Sequence, residues 1–102
     1  MNPYKHDCPV MLVSKSAYRL AMKTAQKGGN VVFKCRSVDM LNDVREEMIR
    51  VMRLRGWFGY YVMGLWQVNA IWMRHASGGR IDFMRYDSFD VKGRRVDLEV
   101  RA

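Results

Sequence analysis

Proline occurs only twice in this 102-residue chain, at Pro3 and Pro9, and cysteine only twice, at Cys8 and Cys35. The two prolines oppose a regular helix in the first dozen residues, where only Val10 to Val13 has the character of a short strand entering a sheet. Two cysteines allow one disulfide at most. A chain with nine Met, five Tyr, four Phe and three Trp has enough apolar bulk to fold without that staple. Long hydrophobic runs are missing too: nothing approaches the roughly 18 to 20 apolar residues that span a bilayer, and the opening MNPYKHDCPVML lacks a signal-peptide core and cleavage site. The expectation is a soluble, cytoplasmic protein of a reducing compartment with no membrane partner. Acidic residues are scarce, ten against eighteen Lys and Arg, for a formal charge of +8. Such an excess suits nucleic acid, an anionic surface or an acidic protein. His6, Cys8, Cys35 and His75 are metal-ligand types without the paired spacing of a zinc site, so neither metal nor cofactor is assigned. With 49% of its residues apolar, the chain can bury one modest core, and residues 1–102 read as a single domain.

What is present is clearest from Gly28 to Gly56, GGNVVFKCRSVDMLNDVREEMIRVMRLRG. Gly28-Gly29 ends the preceding element, and Asn30 to Arg36 is a β-branched and aromatic run. Ser37 caps the following helix, with Asp39 in its first turn. Leu41, Val44, Met48, Val51 and Met52 form one stripe of that helix, while Arg45, Glu46, Arg50 and Arg53 fall elsewhere. A strand feeding an amphipathic helix is half of an α/β unit.

Upstream, Ser14 to Lys27 has helical spacing. Ala17, Ala21, Thr24 and Ala25 gather on one side, and Lys15, Arg19, Lys23 and Lys27 recur every fourth residue. The basic row is either a solvated face or a binding surface. Like charges at i, i+4 cost a helix about 0.2 to 0.5 kcal/mol per pair, which phosphates or acidic side chains would offset. Downstream, Trp57 to Gln67 is aromatic, with Gly59 and Gly64 as breakers; it reads as loop plus short extended segments, either core filler or an exposed platform. Val68 to His75 and Arg80 to Tyr86 are strands joined by the Ala76-Ser77-Gly78-Gly79 turn. A last strand, RVDLEVRA, alternates Val96, Leu98 and Val100 with Arg95, Asp97, Glu99 and Arg101, the pattern of one wet face or a charged edge. The fold class is α/β: helices Ser14 to Lys27 and Val38 to Arg55 packed on a mixed sheet of about four to five strands, which includes Val31 to Cys35, Ala70 to Arg74, Arg80 to Tyr86 and Arg95 to Arg101.

This order of parts, with Lys15-Ser16 opening a helix, SGGRIDFMRYDSF in a hairpin and a final GRRVDLEV, resembles the first half of a RecA-like ATPase core, as in phage terminase large subunits and helicases. In that family a strand leads into G-x-x-x-x-G-K-[ST], whose backbone cradles phosphates. The window Pro9 to Ser16 keeps Lys15 and Ser16 but carries Pro9 and Ser14 in place of the glycines, and the acidic pair that holds metal in the family is not reached by Val100-Arg101-Ala102. The resemblance implies an α/β layout without ATP hydrolysis. Asp82 with Glu99-x-Arg101 also resembles the D…(D/E)-x-K pattern of restriction-like nucleases, in which two carboxylates hold Mg²⁺. Arg101 replaces the Lys and does not readily lose a proton, and an alternating charged strand accounts for the same residues, so no catalytic residue is assigned.

Two functional expectations follow. One is a small, non-enzymatic phage or mobile-element inhibitor that binds a host defence or nucleic-acid-processing complex through the basic row. The alternative is a nucleic-acid-binding accessory protein, with DNA or RNA as partner. In either case Lys15, Arg19, Lys23, Lys27, Arg50, Arg53 and Arg55 meet the partner or its phosphates, and Trp57, Tyr60 and Tyr61 supply aromatic contact.

Overall fold

A computed structural model describes residues 8–54, 66–86 and 95–102, with backbone only at 53 and 54. Eight elements follow in order: β1 (Val10–Leu12), α1 (Lys15–Gln26), β2 (Asn30–Cys35), α2 (Val38–Leu54), β3 (Trp66–Val68), β4 (Trp72–His75), β5 (Arg80–Arg85) and β6 (Leu98–Arg101). The strands form one mixed sheet in the order β1-β6-β2-β5-β4-β3. β1, β6, β2 and β5 are parallel, and β4 and β3 add antiparallel pairs at one side. The expected two helices on a mixed sheet are present, with six strands among the described residues rather than four to five.

Local chemistry explains the element ends. Ser14 Oγ accepts the Ala17 N–H at 3.1 Å and Ser37 Oγ accepts that of Met40 at 3.2 Å, so each helix begins with a serine cap. α1 stops at Lys27 because Gly28 takes φ +91°, the Gly28 N–H donates to Ala25 O, and the Gly29 N–H donates to Thr24 O. This pair of bonds satisfies carbonyls that the helix leaves open. The expected run Val68 to His75 is broken in two. Asn69 Oδ1 accepts the N–H groups of Ile71 and Trp72, both at 2.9 Å, so a side-chain turn replaces strand pairing and folds β4 back on β3.

Both helices lie on the same face of the sheet. The β1-to-β2 and β2-to-β3 steps advance across it in the same direction, and right-handed connections then leave one side for both. Under them Val31, Phe33, Cys35, Ile81, Phe83, Leu98, Val100 and Met73 meet Ala17, Ala21 and Ala25 of α1 and the stripe Leu41, Val44, Met48, Val51 and Met52 of α2. Phe33 stacks between Tyr18 at 5.7 Å and Phe83 at 5.3 Å. Small α1 residues let the helix approach closely. At Gly79 a methyl group would sit 1.8 Å from Ala25 O, so only glycine admits the hairpin turn against the helix end.

Along β6 the structure corrects the reading of a wet or edge strand. β6 lies between β1 and β2, and Glu99 is only 2% exposed. The alternation also begins later than Arg95: Val96 packs with Val32 and Met84 on the face opposite the helices, while Leu98 and Val100 lie under them. The reason is Asp97, whose carboxylate accepts the Asn30 N–H at 2.8 Å and holds the chain in a bend before pairing starts. The two thiols are separated by the sheet, Cys35 in the helix-side core and Cys8 beside Val32 and Met84, and both are free.

Candidate functional site

α1 presents its basic row as the sequence spacing implies. Lys15, Arg19, Lys23 and Lys27 are all exposed, on the side of the helix away from Ala17, Ala21 and Ala25. Among the described residues no carboxylate lies within ion-pair distance of any of the four. The row is not electrically uniform, however. Tertiary packing brings Glu47 of α2 within electrostatic reach of Lys15. Hydrogen bonding from Arg50 holds the Glu47 carboxyl below its usual range, and Lys15 acts in the same direction. Arg19, Lys23 and Lys27 are therefore the least compensated members. Leu20, 40% exposed, adjoins Arg19 and lies one turn from Lys23, while Leu12 and Val13 stand exposed just before the Ser14 cap. Beneath this end of α1, burial, with the Glu47 charge adding to it, pushes the Tyr18 phenol up to about 12, so it is a neutral packing group.

The α2 cations do not join that row as free charges. Arg50 is exposed but grips Glu47 of its own helix through two nitrogens, a surface pair of small energetic weight. Arg53 lies on α2 with its side chain outside the described residues, and Arg55, Trp57, Tyr60 and Tyr61 also lie outside them. Trp66, from the same aromatic stretch, is core: it is 1% exposed and meets the His75 ring edge-on at 4.8 Å.

The window Pro9 to Ser16, compared above with a phosphate-cradling loop, has a different shape. Val10, Met11 and Leu12 are strand, paired with Glu99, Val100 and Arg101, and only Val13 and Ser14 separate this strand from α1. The nuclease-like residues share one sheet face but are not on neighbouring strands. Asp82 on β5 and Glu99 on β6 both pair with Val32 of the intervening β2, which sets their backbones about 10 Å apart. Glu99 accepts from Arg101 Nε at 2.6 Å and lies 3.8 Å from Lys34 Nζ; Asp82 accepts from Arg80 Nε at 3.0 Å. Each buried carboxylate is thus answered by basic neighbours. No cluster of three or more His, Cys, Asp or Glu able to hold a metal occurs among the described residues. No described helix is long and apolar enough to cross a membrane.

Sequence reasoning missed one arrangement. Trp72 of β4 carries the guanidinium of Arg74 at 5.4 Å and that of Arg80 at 5.0 Å from its ring centroid. Counting outward from the Ala76 to Gly79 turn would have set His75 opposite Arg80 instead; the hairpin closes one residue tighter, with the His75 N–H donating to Gly79 O at 2.8 Å, and that register brings Arg74 opposite Arg80. Comparison of the chain with protein-family models, with curated proteins and with solved structures finds no match.

Proposed function

We propose that this chain is a small non-enzymatic interaction protein that lays the outer face of α1 on an acidic surface of a protein partner. In this reading it is an inhibitor of the kind a phage or mobile element directs against a host defence or nucleic-acid-processing complex. The supporting observation is the composition of that face: Arg19, Lys23 and Lys27 are exposed, among the described residues no carboxylate lies at ion-pair distance from them, and the exposed Leu20 sits among them. Like-charge pairs one turn apart oppose the helix by about 0.2 to 0.5 kcal/mol each, and an anionic partner reverses that sign. Phosphates would do so too. Leu20, 40% exposed, favours a protein, because a phosphate backbone gives an aliphatic side chain nothing to pack on, whereas protein interfaces combine an apolar centre with a charged rim. The basic rim would then steer encounter and choose the partner more than it sets the affinity.

The test is the double variant Arg19→Glu/Lys23→Glu, which reverses two exposed charges and leaves Ala17 and Ala21 in place. We expect a folded protein that loses one defined protein partner in nuclease-treated pull-downs. The wild type should show only weak, sequence-blind nucleic-acid binding that fades steeply with salt. Tight nucleic-acid binding at physiological salt, with no protein recovered after nuclease treatment, would replace this reading by that of a nucleic-acid-binding accessory protein.

A further inference from the structure

The face of the sheet opposite the helices carries a second cationic feature, independent of α1. Arg74 and Arg80 are direct cross-strand partners on β4 and β5, and Trp72 and Asp82 are the next pair on the same face. Like charges placed opposite each other weaken an antiparallel pair. Here both guanidinium groups are drawn over the Trp72 indole, at 5.4 and 5.0 Å, where the ring's negative face attracts cations. A guanidinium held over an aromatic face still has N–H groups to donate, and a planar, forked donor set suits an oxyanion. Arg80 already uses its Nε on Asp82 at 3.0 Å. Arg74 is exposed and, among the described residues, has no carboxylate at ion-pair distance.

We propose that Trp72, Arg74 and Arg80 form a binding site for a carboxylate side chain, Asp or Glu, presented by a protein partner, with Arg74 as the principal donor. Charge complementarity selects an anion, and three observations select a protein carboxylate over a nucleic-acid strand. The indole is already engaged by two cations, so it is poorly placed to stack a base. The row continuing across the sheet from Trp72 runs Asp82, Val32, Glu99, Val10, and its two carboxylates are buried and already paired with Arg80, Arg101 and Lys34, so the cation left beside Trp72 without a carboxylate at ion-pair distance among the described residues is Arg74, which suits one side chain rather than a run of phosphates. Finally, Trp and Arg are the residue types that dominate protein hot spots. Because α1 covers the other face, this site neither requires the α1 row nor shares its contacts.

The test uses the full chain, isotopically labelled, with the Trp72 indole N–H and the Arg74 and Arg80 Nε–H signals followed by NMR. The probes are an end-blocked octapeptide of alternating Glu and Ser and, separately, a short oligothymidylate of matching charge. The expected result is a saturable shift of these signals with the peptide and weaker binding by the oligothymidylate. In Arg74→Gln the peptide affinity should fall about tenfold, the order expected for one charge-assisted hydrogen bond. Arg74→Lys should restore only part of it, because the charge returns without the fork. The Arg19→Glu/Lys23→Glu variant should bind the peptide at this hairpin as wild type does, which separates this proposal from that for α1. Absence of a peptide-induced shift, an unchanged affinity in Arg74→Gln, or tighter binding of the oligothymidylate at the same signals would each overturn it.

Discussion

His75 ends β4 with its ring edge-on to Trp66 and its Nδ1 accepting the Ser77 N–H at 3.1 Å. That bond requires an unprotonated Nδ1, and burial lowers the pKa of the ring from its ordinary 6.5. As pH falls below 6.5 the unfolded chain therefore takes up this proton before the folded one does, and the fold loses stability until the folded imidazole also protonates. Chemical denaturation at about pH 7.5 and pH 5.5 should show that loss in the wild type and a smaller one in His75→Asn, whose Oδ1 can accept from Ser77 without titrating. His6 is common to both proteins and cancels in the comparison. An NMR titration placing His75 at or above 6.5 would refute the argument. The residue's type was plain in the sequence. Its partner was not, because Trp66 reaches it only through the pairing of β3 with β4.

At the scale of elements, α1 and α2 were legible nearly to the residue. A serine cap, an apolar stripe and a glycine stop are local signals, and they name Ser37 and Gly28 without reference to anything distant; Ser14, read as the first residue of its helix, proves to be the cap. Strands were less legible, since Asn69 divides one expected strand and Asp97 delays another through bonds that spacing does not reveal. The link from β1 to α1 carries a functional consequence. With Val10–Leu12 held in strand pairing, only Val13 and Ser14 remain between strand and helix, too few to wrap a polyphosphate even though Lys15 and Ser16 stand in the right order. Titration calorimetry with Mg-ATP should accordingly show no binding and phosphate-release assays no turnover. Micromolar affinity abolished by Lys15→Ala would sink this expectation.

For the molecule as a whole, the sheet is a partition. Cys35 is buried in the helix-side core with its thiol pKa pushed up by burial, and Cys8 is half-buried on the other side, raised by burial and by the nearby Glu99 charge. A thiol reagent at neutral pH should modify Cys8 slowly and Cys35 only upon unfolding, and oxidation should not join them; rapid labelling of both in the native protein, or an intramolecular disulfide, would contradict this topology. The same partition organises the candidate surfaces. The basic row of α1 was readable because helical period is a local property: residues four apart share a face wherever the helix is placed. Charge, amphipathic period, caps and turns thus determined the α/β class, both helices and the exposed cations. Only tertiary structure decided that β6 lies inside the sheet, that Glu99 is buried against Arg101 and Lys34, that Glu47 comes within electrostatic reach of Lys15, and that Arg74 and Arg80 share Trp72. Each of these depends on strand order, register or helix docking, which bring together residues far apart in sequence, and no local spacing encodes such distances.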